Sequence, residues 1–293
     1  MSSVLLFFID GLGIGTRGPH NPLDGLNGTE PLAHFQNEQS QIPFAGVLVR
    51  TDARLGVAGR PQSASGQTTI LTGVNAPAAV GYHKQGFPNA PLLEIIREHS
   101  LFLQLKRAGV EPIIFANTYT KHFFETRPRW ISATTAAVEA AGLAFNTVDD
   151  LRAGRAVFHD FTNEKLIERG ETANLRTPEE AGAVLGSIAA KHRFTLYEYF
   201  LTDKAGHSQN MSLARPLLRQ LAAMVRAVLQ SVDLKHTTVI LTSDHGNVED
   251  LSARNHTLNP VPTILWGAHS QIVASRISSL ADIAPAIVST LTA

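Results

Sequence analysis

An α/β protein with a mostly parallel central sheet and helices on both of its faces is what this 293-residue chain predicts, on three observations. Residues 4–9 (VLLFFI) and 237–241 (TTVIL) are apolar or β-branched without polar alternation, the pattern of central strands covered on both sides. Strand-like segments alternate with helix-like ones, which implies parallel pairing through right-handed crossovers. Polar residues capable of chemistry gather just beyond the strand ends, where open α/β sheets place their ligands.

Composition narrows the class. With 44% hydrophobic residues the chain is long and apolar enough for one elaborated domain, residues 1–293, rather than two equal ones. Lys+Arg and Asp+Glu balance at 25 each, so no net field favours nucleic acid or an anionic membrane, and local sites must do the recognising. There is no cysteine, so a metal would have to be held by carboxylate, imidazole or hydroxyl groups. The apolar run at 4–9 is too short and lacks the basic leader of a signal peptide, and no stretch reaches membrane-spanning length; the expectation is a cytoplasmic protein.

In chain order, the first strand ends in Asp10-Gly11-Leu12-Gly13-Ile14-Gly15. Gly13, Gly15 and Gly18 imitate the dinucleotide fingerprint, but Pro19, Asn21, Pro22 and Asp24 follow where that motif must open a helix, so the nucleotide reading fails on context. Residues 46–50 read as a short strand. Residues 59–73 are small and polar, then helical up to Gly73. Ser63 there is either a nucleophile at a helix amino end suited to a phosphoryl group or, with Ser65, a helix cap. A loop over 74–90, a helix or helix pair over 91–108 broken near Ser100, and a strand at 112–116 come next. Lys121 then lies just past a strand end, a candidate for neutralising phosphate.

Residues 123–175 carry a helix at 132–141 and otherwise mixed polar segments, the composition of a lid. Thr177-Pro178-Glu179-Glu180 signals a helix start, with threonine as cap and proline in the first turn. A strand at 195–201 runs into Asp203 and His207, whose spacing of four places both on one face of a helical turn. An amphipathic helix over 215–234 precedes the second apolar strand, which ends in Ser243-Asp244-His245-Gly246-Asn247. His256 follows in a loop feeding a strand at 263–266, and the chain closes with a surface helix from 279.

Asp10, Ser63, Asp203, His207, Asp244, His245 and His256 each sit at a strand end or a helix start, so one sheet edge would gather all seven. Three carboxylates, three imidazoles and a hydroxyl suit two divalent ions with open positions, a pair able to clamp the attacking and leaving oxygens of a phosphoryl transfer. With these residues in hand, the chain resembles the alkaline phosphatase superfamily, in particular its cofactor-independent phosphoglycerate mutase and phosphopentomutase branch. The resemblance rests on Ile9-Asp10-Gly11, on Ser63 with Gly66 and Gly73, on Asp203 and His207, on the 243–247 stretch, on His256 through Pro262, and on Asp282 through Pro285. It implies a three-layer α/β/α sandwich in which Asp203, His207 and His256 hold one ion and Asp10, Ser63, Asp244 and His245 the other. It further implies Ser63 as the phosphorylated nucleophile, Lys121 as a phosphate-binding lysine, manganese or zinc as the metals with magnesium or cobalt as alternatives, and a small phosphorylated substrate.

The chain departs from those mutases in one respect. They insert a large substrate-gripping domain after the nucleophile helix, whereas about 27 residues separate Gly73 from the next core helix at Ser100. Cover would come from segments near 74–98 and 122–175, in which Arg127, Arg129, Arg152 and Arg155 are the candidates for an arginine pocket. A small lid retains a free intermediate poorly, which favours a phosphoester hydrolase or phosphotransferase over a small phosphomutase; a non-catalytic metal-binding homologue is the reading from another class.

Overall fold

Six strands form one sheet in the order β2-β6-β5-β1-β4-β3 in the computed structural model, which describes residues 2–293. They are β1 (Ser3–Ile9), β2 (Val47–Thr51), β3 (Ile113–Phe115), β4 (Phe194–Tyr199), β5 (Thr237–Ser243) and β6 (Val261–Trp266). β1 lies parallel between β4 and β5, with Ile9 opposite both Tyr199 and Ser243, and β3 is parallel to β4. β6 alone reverses, running antiparallel to both β5 and β2. Residues 244–260 contain no helix to carry the chain back across the sheet, so it returns alongside β5 in the opposite sense.

The uninterrupted apolar run of β1 is explained by its two covered faces. Successive side chains of a strand point to opposite sides, and Leu5, Phe7 and Ile9 enter one core while Val4, Leu6 and Phe8 enter the other. The first core packs against the helices Pro178–Ala189 and Met211–Ser231; the second against Ser63–Thr72, Leu101–Arg107, Ala133–Ala140 and Ile283–Thr292. Each fully buried leucine or phenylalanine stabilises by about 1.5–3 kcal/mol relative to an exposed one, so a polar residue at any of these six positions would open one layer. Gly182 lets the first pair of helices touch: a Cβ there would stand 2.5 Å from that of Ala227.

Several local expectations meet the structure closely. Thr177 caps its helix through a reciprocal box with Glu180, Ser132 caps Ala133–Ala140, and Gly73 ends the helix Ser63–Thr72 at φ +79°. The 91–108 stretch divides at Ser100 into Ala90–His99 and Leu101–Arg107. The loop expected over 74–90 contains a helix, Ala76–Val80, because Asn75 caps it and Pro77 sits in its first turn. Within the two cover segments, Ala90–His99 and Ala133–Ala140 turn out to be packing helices of the second layer, with Leu92, Ile96, Ala133 and Ala137 fully buried. The closing helix buries Ile283, Ala284, Ile287 and Leu291, so it belongs to that layer too. Among the described residues no helix is long and apolar enough to cross a membrane.

Candidate metal centre and its cavity

Because β1, β4 and β5 are parallel, their carboxyl ends share one edge, and because β6 is reversed its amino end lies at that same edge. Asp10, Asp203, Asp244, His245 and His256 are thereby brought together from segments far apart in the chain. Asp10 Oδ1 lies 3.2 Å from His245 Nε2, and Asp244 Oδ2 lies 3.6 Å from it. Asp203 Oδ1 is 3.4 Å from His256 Nε2, and Asp203 Oδ2 is 3.3 Å from His207 Nε2 one helical turn away, as the spacing of four requires. The rings of His245 and His256 stack at 3.6 Å and 12°. Two overlapping ligand groups result: Asp10, Asp244 and His245, and Asp203, His245 and His256, so His245 borders both. His207 stands beside the second group, half-exposed, through its contact with Asp203.

Ser63 begins its helix with Oγ 2.9 Å from His245 Nε2. It is not the cap, since Gln62 occupies that place, and Ser65 instead bonds to the Gln62 carbonyl and accepts from the Lys84 N–H. The helix cap that the sequence offered as the alternative role for Ser63 and Ser65 is thus filled by neither. Part of the helix amino end is already committed, with the Ser65 N–H on the Lys84 carbonyl and that of Gly66 on Gln62. Gly66 allows the helix to reach the centre: a Cβ there would lie 2.9 Å from the Asp244 carbonyl oxygen.

The donors are oriented by groups that sequence reasoning did not find. Gln67 Nε2 donates to Asp10 Oδ2 and Asp244 Oδ2, both at 3.1 Å, bridging the two carboxylates from beneath. Asn247 Nδ2 donates to Asp203 Oδ1 at 2.6 Å. Glu249, only 1% exposed, accepts from the backbone N–H groups of Gly13 (2.9 Å) and Asn247 (2.7 Å) and from the side chains of Thr257 and Asn259. It thus ties the loop after β1 to both ends of the 244–260 connection at the sheet edge. A Cβ at Gly13 or Gly246 would stand 2.2 Å from its Oε1, and one at Gly15 2.9 Å from its Cγ. Of the glycines that imitate a dinucleotide loop, Gly13 and Gly15 admit this carboxylate.

These residues fit divalent metal. His207 Nδ1 donates to the Arg254 carbonyl at 2.8 Å and His256 Nδ1 to that of Pro61 at 2.9 Å. Were both rings neutral, their Nε2 lone pairs would face each other at 3.3 Å, a contact that a bound cation, or a proton shared with Asp203, relieves. Asp10 Oδ1 is buried without a hydrogen-bond partner among the described residues. The electrostatics agree. Burial, with the neighbouring Asp10 charge, pushes the Asp244 carboxyl well above the usual range. Burial would depress His245, yet Asp244, Asp10 and Asp203 outweigh it and carry its imidazole up to about 10. Burial would also raise Asp203, but the hydrogen bond to His256 and the charge of His245 hold it at about 2. Three carboxylates thus compete for positive charge in a largely buried site.

Beside the centre opens a cavity of about 520 Å³ whose lining includes Asp10, Ser63, Gln67, Asp203, Glu198 and the aromatic rings of Phe87, Phe115, Tyr119, Phe123, Phe158 and Phe200. Both cover segments reach it, through Gly86 and Phe87 and through Phe123, Ser132, Thr135, Phe158, His159 and Arg169. Burial, and after it the charge of Asp10, raises the Glu198 carboxyl to about 7. Lys121 is not brought in. Its side chain is 81% exposed and pairs with Glu125 at 3.2 Å, because the helix Lys121–Thr126 turns Thr120 and Phe123, not Lys121, toward the cavity. Nor do the expected arginines line it: Arg127 pairs with Glu139, Arg152 with Asp149 and Arg155 with Asp150, while Arg129 lies over the Trp130 ring. The cations that do line it are Arg169 and Lys204, the latter inside the Asp203 to His207 interval.

Comparison with known proteins agrees with this architecture. A 2,3-bisphosphoglycerate-independent phosphoglycerate mutase from Antithamnion sp. is 32% identical over 108 residues, and one from Ehrlichia canis (strain Jake) 28% identical over 132. These matches take in 34% and 41% of this chain but only 21% and 26% of those proteins, so the chain spans about a quarter or less of their length. Among solved structures, PH0037 protein from Pyrococcus horikoshii aligns over 99% of this chain and 97% of its own, with a TM-score of 0.56 at 14% identity. Alkaline phosphatase from the Antarctic bacterium TAB5 aligns over 99% and 98%, with a TM-score of 0.52 at 13% identity, so the fold is alkaline phosphatase-like. Residues 133–293, more than half of the chain and including Asp203, His207, Asp244, His245 and His256, match the family model of the Metalloenzyme superfamily, and the chain belongs to that superfamily.

Proposed function

We propose that this protein is a metal-dependent phosphoester hydrolase or phosphotransferase that works through a phosphoserine at Ser63. The observation that carries the reading is the position of the Ser63 hydroxyl, 2.9 Å from His245 Nε2 at the mouth of a cavity, where a carboxylate and imidazole centre meets space for a substrate. Asp203, His207 and His256 would hold one divalent ion, and Asp10, Ser63, Asp244 and His245 the other. Bound there, such ions supply Lewis acidity and neutralise the phosphoryl charge. Ser63 Oγ attacks phosphorus as the bond to the leaving oxygen breaks, and its proton passes to a base at the site. The leaving alkoxide takes a proton from Glu198, whose carboxyl on the cavity wall is raised to about 7 and so can donate near neutral pH, or from water. Water then cleaves the phosphoserine and releases inorganic phosphate. Gln67 and Asn247 hold the carboxylates in place through both steps.

A phosphomutase is the second reading, favoured by the local likeness to phosphoglycerate mutases. Against it stands the small cover, which leaves the phosphoserine facing a cavity continuous with solvent. The test is a panel of phosphomonoesters, diesters and sugar phosphates with Mn, Zn, Mg and Co, reading the partition between inorganic phosphate and isomerised ester. Phosphate should dominate. Isomerised ester dominating would establish the mutase, and two bound metals with no turnover on any ester would establish a binding protein.

A further inference from the structure

The cavity wall away from the metal centre carries a layered arrangement that phosphoryl transfer does not use. The His159 ring lies between those of Phe158, at 4.1 Å, and Phe200, at 4.4 Å. Outside this sandwich the Arg169 guanidinium stands 5.8 Å over Phe158 and the Lys204 ammonium 4.9 Å over Phe200. His159 is 9% exposed, and neither of its ring nitrogens has a hydrogen-bond partner among the described residues. A buried imidazole that makes no hydrogen bond is costly, and although neither nitrogen is open to the cavity the ring edge borders it, so a bound group met by a small movement of the ring can supply the missing partner. Arg169 and Lys204 border the same space, and neither has a carboxylate within ion-pair distance among the described residues, although eight other Arg or Lys side chains do. Two cations without counter-ions and one imidazole without a partner converge on a space that already receives a phosphoryl group at its other end.

We propose that Arg169, Lys204 and His159 form an anion subsite, and that the substrates are phosphoesters whose alcohol portion bears a second anionic group. This rests on the phosphoester reading above and deepens it. The phosphoryl group would sit at Ser63, while the second anion, a carboxylate or a further phosphoryl group, takes the two cations and a hydrogen bond from His159. Arg169 comes from the cover segment and Lys204 from the helix Leu201–Ser208 that carries Asp203, so a doubly anionic ligand would draw the cover onto the catalytic edge.

Binding tests the subsite without catalysis. In metal-free protein the catalytic end presents only carboxylates and imidazoles, so a simple dianion has one basic surface in the cavity to occupy. Malonate and methylenebisphosphonate, which separate a carboxylate from a phosphoryl preference, are titrated by calorimetry into wild type, Arg169→Met, Lys204→Met and the double variant. At least one dianion should bind the wild type, and the double variant should weaken it at least tenfold, with Lys204→Arg restoring most of the loss. Undetectable binding, or equal affinity in the double variant, would overturn the subsite whether or not the protein hydrolyses phosphoesters. With metal-loaded protein, the ratio of kcat/KM for carboxyphenyl phosphate to that for phenyl phosphate should fall at least tenfold in the double variant. An equal loss on both esters would also overturn it. Dianion binding that follows the subsite in a protein that turns over neither ester would count against the phosphoester reading and leave the anion subsite standing.

Discussion

Glu249 offers a quantitative test of how the metal loops are held. Replacing it with alanine strands four donors: the backbone amides of Gly13 and Asn247 on Oε2, and the Thr257 and Asn259 side chains on Oε1. The two side chains can rotate toward each other or toward entering water, but the backbone amides cannot move without dismantling their loops. Each buried donor left unsatisfied costs roughly 1–3 kcal/mol, so Glu249→Ala should lower stability by about 4 kcal/mol. Glu249→Gln retains an oxygen at the Oε2 position for both amides and presents an NH2 group to Thr257, whose hydroxyl can turn to accept, and to Asn259, whose amide can flip. That variant should lose about 1–2 kcal/mol. Urea unfolding of EDTA-treated protein measures both without a contribution from bound metal, and metal titration of the folded variants should show affinity reduced about 10–100-fold, as for other groups that orient metal ligands. The reasoning is refuted if Glu249→Ala unfolds within 1 kcal/mol of wild type, or if the glutamine variant is as unstable as the alanine one.

Other predictions follow from the same structure. Ser63→Ala should reduce phosphoester turnover by orders of magnitude and abolish any phosphoprotein intermediate detected by intact-mass measurement after acid quench, while the melting temperature without metal is retained; full activity would move the role to Ser65 or to water. Protein reconstituted with excess Mn or Zn and desalted should hold close to two ions per chain, and chelation should lower its melting temperature because ions bound only by the folded state stabilise it by about 2.7 kcal/mol at a hundredfold excess over Kd; a ratio of one or less sinks the two-ion centre. His34, whose imidazole is buried against the Pro31 carbonyl, is held down at about 4 by burial, so the folded state favours the neutral ring. Its contribution is complete above the unfolded value near 6.5 and is lost as pH falls from there toward 4, a decline of about 3 kcal/mol that His34→Phe should flatten; an unchanged pH profile in the variant would assign the acid sensitivity elsewhere.

Local signals made the frame legible in the sequence. The unbroken apolar run of β1 announces a strand covered on both faces, because each alternate side chain must find its own core. The spacing of Asp203 and His207 puts both on one helical face wherever that helix lies, and Thr177 with Glu180 writes its own capping box. Ligand chemistry was legible for a related reason, since strand ends in a parallel sheet share an edge whatever the strand order. Tertiary structure alone decided which neighbours orient those ligands. Gln67 reaches Asp244 across 177 residues and Glu249 reaches Gly13 across 236. The carbonyls of Pro61 and Arg254 direct His256 and His207 although a carbonyl belongs to every residue and marks none in a sequence. Lys121 and Lys204 read alike as lysines just past strand ends; one turns into solvent beside Glu125, the other stands over Phe200 at the cavity wall. A side chain's direction is set by the rotation of its helix against the sheet, and that rotation is fixed by packing among residues distant in the chain.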